Sequence, residues 1–275
     1  MWDILKALLQ GIVQGITEWL PISSTGHLIL VNEFLPFNQS QEWFDLFKVL
    51  IQLGSILAVL VLYFHKLNPF SPKKTVIERK DTWSLWGKVL VASVPAALVG
   101  LPLDDIIDTT LSAPWVIATT LVLYGVGFLW MENRHHAPTI QTTNDMTLKT
   151  ALLMGCFQAL ALIPGTSRSG ATILGAVLLG CSRTVAAEFS FFMAIPAMAG
   201  ASGLKVVKYL LLDGQRFTAE ESLLLAIGMV VSFVVSVLVI RFLMNFIKKR
   251  DFKPFGVYRI VLGAVLFALI ACGVL

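Results

Sequence analysis

Apolar runs long enough to cross a bilayer recur along this chain. A membrane-spanning helix needs roughly 20 predominantly apolar residues, and six stretches are full-length candidates: 45–64, 84–102, 115–131, 185–204, 222–245 and 256–274. Lys48 falls inside the first, and Pro95 and Pro196 interrupt two others. Proline is tolerated in membrane helices where neighbours satisfy the freed carbonyls. Two further segments are apolar only at their ends. Residues 2–34 are broken by Pro21 and a Ser-Ser-Thr-Gly run, and residues 150–182 by Ile-Pro-Gly-Thr-Ser-Arg-Ser-Gly. Each half, roughly 12 to 19 residues, is marginal or too short to cross. This is the pattern of a re-entrant helix–loop–helix, whose irregular tip is allowed at membrane depth only where protein or water surrounds it. The expected fold is an all-α polytopic membrane protein with six transmembrane helices plus two opposed re-entrant segments, their tips in one shared cavity.

The two broken segments resemble each other. Gly11-Ile-Val-Gln14 matches Gly155-Cys-Phe-Gln158, and Leu-Pro-Ile-Ser-Ser-Thr matches Ile-Pro-Gly-Thr-Ser-Arg after a one-residue gap. Within a single integral membrane domain, 1–275, we expect two internal repeats, about 1–103 and about 148–275, joined by a connector at about 104–147. Loop charge orients them. The 65–83 loop carries Lys66, Lys73, Lys74, Arg79 and Lys80, the 246–254 loop carries Lys248, Lys249, Arg250 and Lys253, and the 103–114 loop carries only Asp104, Asp105 and Asp108. With the basic loops inside, the first re-entrant segment enters from outside and the second from inside. The repeats are then antiparallel, as in many transporters. Lys205, Lys208 and Arg216 lie in a predicted outer loop, against this balance.

Composition agrees. The chain is 56% hydrophobic and 14% charged, against about 25% charged in soluble domains. Its net charge of +4 sits in short loops, which reads as cytoplasmic loops at an anionic leaflet and not as a nucleic-acid surface. Cys156, Cys181 and Cys272 are far apart, lack metal-ligand spacing and read as small buried apolar residues. The N-terminal segment lacks the basic region and small-residue cleavage site of a signal peptide.

Two polar islands carry the candidate chemistry. In the first, Gln14 and Glu18 share one helix face, and an ionisable residue within a membrane segment is a functional candidate by default. The bland alternative is an interfacial glutamate between headgroup anchors Trp2 and Trp19. Ser23, Ser24 and Thr25 follow the break; hydroxyls there are ordinarily helix caps. His27, three residues after Ser24, would face the same way on a new helix and could take its proton. The second island offers amides around Gly165, hydroxyls on Thr166, Ser167, Ser169 and Thr172, and the cation Arg168. Such a turn suits phosphate, though it lacks the spacing and lysine of a Walker loop. The alternative is a structural arginine paired with a carboxylate such as Glu188. Gln52, Gly54 and Ser55 read as close helix packing. Arg183 and Glu188 read as flanking a helix start, His135-His136 as a solvated pair, and Tyr258-Arg259 as an interfacial anchor.

At these residues the chain resembles the undecaprenyl-diphosphate phosphatase family of bacterial membrane enzymes linked to bacitracin resistance. The resemblance runs essentially end to end. It rests on Gln14 to Glu18, Leu20 to His27 and Pro164 to Thr172, with Val49 to Val59 and Glu188 to Pro196 as further family segments. It implies dephosphorylation of a C55 isoprenoid diphosphate to the monophosphate lipid carrier of cell-wall synthesis, in the bacterial cell membrane. Carried over by motif position, Ser24 is the nucleophile, and His27 its general base or the acid for the leaving group. Glu18 orients the histidine or binds a divalent cation, Mg²⁺ or Ca²⁺, and Arg168 holds the diphosphate. Gln14, Ser23, Thr25, Gly165, Thr166, Ser167, Ser169 and Thr172 complete the substrate-binding set. Some members have glutamate where this chain has Gln14, and an amide cannot supply full charge to a metal. Direct attack by water, with Ser24 only binding phosphate, stays open.

The partners implied are the isoprenoid diphosphate and the bilayer, with the cavity opening to the outer face. Oligomeric state is left open, a homodimer among the options. Competing readings are a lipid-phosphate transporter or flippase, an intramembrane serine protease and a non-catalytic scaffold. The Ser24, His27 and Glu18 set opposite Arg168 favours the phosphatase over all three.

Overall fold

The computed structural model describes residues 2–111, 113–134, 137–212 and 214–274, with the side chains of 104–109 outside that description. The aspartates of the 103–114 stretch and the His135-His136 pair therefore lie outside the described residues.

All regular elements among the described residues are helical. Both broken segments are helix–break–helix: α1 (Trp2–Thr17) and α2 (Ser24–Phe34), then, after α3 to α6, α7 (Leu148–Leu160) and α8 (Arg168–Leu178). The long helices are α3 (Gln41–Leu62), α5 (Val76–Thr110), α6 (Pro114–Asn133), α9 (Arg183–Val207), α10 (Ala219–Ile247) and α11 (Lys253–Ala271). These are the six predicted spans, all long and apolar enough to cross a membrane. A short α4 (Phe64–Leu67) follows α3, and a π turn, Lys208–Leu212, ends α9.

Local chemistry sets the starts. Ser40 accepts from Trp43 N at α3, Ser182 from Val185 N at α9, and Thr218 with Glu221 forms a capping box at α10. The same exchange between Thr75 and Glu78 starts α5 well before the predicted 84. Half of the expected 65–83 loop is thus helix, its charged first turns preceding the apolar span. Two of its cations are tied in: Lys66 pairs with Glu188 at 2.6 Å, and Lys74 donates to Lys66 O. Arg183 pairs with Glu132.

Outward faces are apolar at helical spacing: Leu90, Val94 and Leu98 on α5, Val230, Val234 and Leu238 on α10, and Val257, Val261 and Val265 on α11 are exposed. Such continuous stripes face lipid and not water. The interior is aromatic, with Trp19, Phe189, Phe191 and Phe192 fully buried. Cys181 is buried as expected, but Cys156 and Cys272 are exposed free thiols.

Packing between the segments is reciprocal. α1 lies against α10 and α7 against α5, while α6, inside the predicted connector, pairs with α11. Gly11 and Gly155, matched in sequence, both press on backbone: a Cβ would come within 2.8 Å of Gly228 O and 2.3 Å of Ala92 O respectively. Between α3 and α10, Ser55 and Ser232 share a 2.6 Å hydrogen bond, and a Cβ on Gly54 would sit 2.2 Å from Met229 O. Small residues let these backbones meet. Gly54→Val should therefore force the helices apart, at about 1–3 kcal/mol. It is expected to melt clearly earlier in detergent, whereas Gly87→Ala, where the methyl meets open space, should not. Equal melting temperatures would refute the close crossing.

Candidate active site

The two breaks meet. Glu18, just past the end of α1, is 4% exposed and engages three side chains. Gln14 Nε2 donates to its Oε2 at 2.9 Å, Ser24 Oγ donates to the same oxygen at 2.8 Å, and Arg168 Nη2 donates to Oε1 at 2.8 Å. Residues 150 positions apart are joined in one buried ion pair. This excludes the interfacial reading of Glu18. Trp19 is also no headgroup anchor: it is fully buried against Phe191, with the Arg168 guanidinium 5.5 Å from its ring. The expected alternative for Arg168, a pair with Glu188, does not form, since Glu188 is with Lys66.

The breaks share one unusual geometry. Ser23 and Ser167, each immediately before its second half-helix, have φ of 76° and 69°, and they are the positive-φ non-glycine residues among those described. Such backbone costs of order 1–3 kcal/mol and persists where surroundings over-determine it. Here it sets Ser24 and Arg168 at the first positions of α2 and α8, where helix N-termini favour anions. Gly165, at φ +85°, completes the second turn; a Cβ there would lie 2.2 Å from Thr120 Oγ1.

Several of the predicted binding hydroxyls also hold the two tips together. Ser169 Oγ donates to Glu18 O at 3.0 Å and to Leu20 O at 3.2 Å, pinning one tip to the other. Thr172 Oγ1 donates to Arg168 O and bonds Ser190 Oγ. Ser167 Oγ caps α8 by accepting from Gly170 N. Thr166 is buried with its hydroxyl unpartnered, Ser23 is buried, and Thr25 is half-buried. Arg168 Nη1 donates to Ser190 O at 2.8 Å, a partner sequence reading missed.

His27 is not bonded to Ser24. Its Nδ1 donates to Ser23 O at 2.6 Å, which in the neutral ring leaves Nε2 accepting from Tyr258 Oη at 2.7 Å. The two rings stack. The expected Ser24–His27–Glu18 chain is thus replaced by a direct Ser24–Glu18 bond, because the tight turn at Ser23 brings Ser24 back onto the end of α1.

The largest departure is at Tyr258-Arg259. Arg259 is no interfacial anchor but 0% exposed. Its Nη1 donates to Pro21 O at 3.1 Å and its Nη2 to Gly165 O and Thr166 O at 2.9 Å each, with longer contacts to Thr120 O and Leu121 O. One guanidinium therefore ties the first tip, the second tip and α6 together. No salt bridge among the described residues involves it. The centre holds two guanidiniums to one carboxylate, an excess of positive charge suited to a polyanion. The signal was present in sequence, since Arg259 stands inside an apolar span.

No three His, Cys, Asp or Glu side chains cluster as a metal site among the described residues. Glu18 is the carboxylate at the centre, and beside it Gln14 Oε1 is buried without a partner. Two oxygens do not make an all-protein cage. Both Glu18 oxygens already accept hydrogen bonds, so a cation held here would draw most of its ligands from phosphate and water.

Comparison with known proteins agrees with this chemistry. The model of the family described as bacitracin resistance protein BacA matches residues 7–265. Proteins named undecaprenyl-diphosphatase are similar over nearly the whole chain. That of Lactiplantibacillus plantarum is 58% identical over 267 residues, covering 96% of this chain and 97% of its own. Those of Latilactobacillus sakei and Enterococcus faecalis are each 55% identical, covering 96% of both chains.

Proposed function

The chain belongs to the bacitracin resistance protein BacA family, and from that premise we propose that it is a membrane phosphatase hydrolysing undecaprenyl diphosphate to undecaprenyl phosphate and inorganic phosphate. The reaction regenerates the lipid carrier of cell-wall synthesis and confers bacitracin resistance. One observation carries the reading: the buried joint of Ser24, Glu18 and Arg168 across the two breaks. It brings the Ser24 hydroxyl, the Glu18 carboxylate and the Arg168 guanidinium together, which supports phosphoryl transfer and is needed by neither a protease nor a scaffold. The transporter reading has no separate observation in its favour.

In the proposed mechanism Ser24 Oγ attacks the terminal phosphorus while its proton passes to Glu18 Oε2. The bond from that phosphorus to the bridging oxygen breaks, and its electron pair leaves with the prenyl monophosphate. Water then attacks the phosphoserine phosphorus; the bond from phosphorus to Ser24 Oγ breaks, Oγ takes back its proton from Glu18 Oε2, and phosphate is released. His27 Nε2, an acceptor in this arrangement, takes that water's proton once Tyr258 gives way. Arg168 and the amides at the starts of α2 and α8 offset charge on the phosphoryl oxygens. Glu18 and the free Gln14 Oε1 would hold Mg²⁺ or Ca²⁺ entering with the diphosphate; a bound cation would neutralise phosphoryl charge.

The reciprocal packing and the paired strained serines support antiparallel repeats, with α6 of the connector packed on α11. A cavity beside Arg168 is lined by α5 from Ser93 to Leu101 and by α9 from Pro196 to Lys205; with the basic loops inside those ends lie in the outer half, which supports a site that opens outward.

The test is phosphate release from farnesyl or undecaprenyl diphosphate by purified protein in detergent, with and without EDTA. Arg168→Ala should lower kcat/KM about 10²–10³-fold, the scale for losing one charge-stabilising donor. Wild-type release unaffected by that change would refute the assignment of Arg168.

A further inference from the structure

A cavity of about 360 Å³ opens beside Arg168 between α5, the end of α7 and α9, within the roughly 300–1,000 Å³ of small-molecule sites. Its walls are mostly apolar, with Ala97 and Gly100 of α5, Leu162 after α7, and Gly200 and Leu204 of α9, while Ser93 and Lys205 also line it. Gln158, 3% exposed, is among the residues that line it, and its buried Nε2 and Oε1 are both without a hydrogen-bond partner. Arg168, which also lines the cavity, keeps its Nε unpartnered as well. Buried polar groups are ordinarily satisfied, so unmet donors on two residues of one mostly apolar cavity call for an acceptor-rich ligand with a hydrocarbon part.

The repeat explains how Gln158 comes to be free. It corresponds to Gln14, whose amide donates to Glu18 four residues on. Four residues after Gln158 stands Leu162, so the second copy keeps the amide and replaces its carboxylate with a wall of the cavity.

We propose that this cavity binds the lipid-linked end of the substrate: Gln158 Nε2 and Arg168 Nε donate to the phosphate that stays on the lipid, and the first isoprene units lie against the walls. This rests on the phosphatase reading above. Arg168 then spans both phosphates, its Nη2 beside Glu18 and Ser24 at the phosphate to be released, its Nε at the one retained. When the terminal phosphorus–oxygen bond breaks, the electron pair moves onto the retained phosphate, where Gln158 meets it.

The experiment compares wild type, Gln158→Leu and Gly200→Leu in detergent, using farnesyl diphosphate as substrate and farnesyl monophosphate and inorganic phosphate as inhibitors. Gln158→Leu should lower kcat/KM about 10–100-fold, the scale of a hydrogen bond to a charged group. It should raise the inhibition constant of farnesyl monophosphate similarly and leave that of inorganic phosphate unchanged, a split that general misfolding would not produce. Gly200→Leu, at a wall position where a Cβ would meet nothing within 4 Å, should raise KM for farnesyl diphosphate at least about 5-fold and for dimethylallyl diphosphate much less. Unchanged farnesyl monophosphate inhibition in Gln158→Leu, or, should that variant not fold, equal KM changes for long and short chains in Gly200→Leu, would overturn the subsite while the phosphatase stands. No release by wild type from any prenyl diphosphate would instead remove the phosphatase reading on which it rests.

Discussion

Ser24→Ala is expected to fold like wild type and to release phosphate from farnesyl diphosphate at least about 10⁴-fold more slowly, the scale for losing a nucleophile. The hydroxyl contributes one 2.8 Å bond to Glu18 Oε2, and Gln14 and Arg168 remain to hold that carboxylate. Its loss should cost stability only about 1–2 kcal/mol. Glu18→Gln should match the loss of rate, because the amide accepts no proton from Ser24 at this distance. It should destabilise more, by about 3–5 kcal/mol, since Arg168 is left as a buried cation without its partner. If the two act as one unit, the double variant will be scarcely slower than either single one. Multiplying losses, or a Ser24→Ala protein within about tenfold of wild type, would show that Ser24 merely binds phosphate and that water is the nucleophile.

Arg259→Met should be the most destabilising single change in the site, by at least about 3 kcal/mol, and should abolish most activity even below its melting temperature. The substitution keeps an unbranched apolar stem but withdraws every donor from Pro21 O, Gly165 O and Thr166 O. Buried acceptors left unmet cost roughly 1–3 kcal/mol each. Arg259→Lys should recover little. Its three donors radiate from one nitrogen, whereas here separate nitrogens of a planar fork reach two loops and α6 at once. Thermal melting in detergent, paired with turnover at a temperature where both proteins are folded, checks this. Wild-type melting and turnover in Arg259→Met would mean that the two tips hold together without the clamp. Loss of turnover in a protein that melts normally would place Arg259 in the chemistry through its charge alone.

What could be read in the chain was whatever depends on neighbours in sequence. Span number follows from apolar run length, because a bilayer imposes its thickness on every crossing. The breaks at Pro21 and at Pro164-Gly165 follow from residues that cannot continue a helix. The set Gln14, Glu18, Ser24, His27 and Arg168 stood out because polar groups in an apolar chain are costly enough to need a reason. The extent of α5 was misjudged because its first turns are charged, and a hydropathy criterion does not see a capped, water-facing helix.

Pairing was decided by the tertiary structure. Glu18 could have met His27, and Arg168 could have met Glu188. Which contact forms depends on how α1 and α8 are held against each other by packing between elements some 150 residues apart. The positive φ at Ser23 turns Ser24 back toward Glu18 and sends His27 toward Tyr258, a choice of backbone region that side-chain identity does not dictate for serine. Arg259 passed for an interfacial anchor because its partners are carbonyls, and main-chain acceptors leave no mark in an amino-acid sequence. Gln158, by contrast, was visible as the counterpart of Gln14. That it has no partner became clear only once Leu162 and the cavity stood beside it.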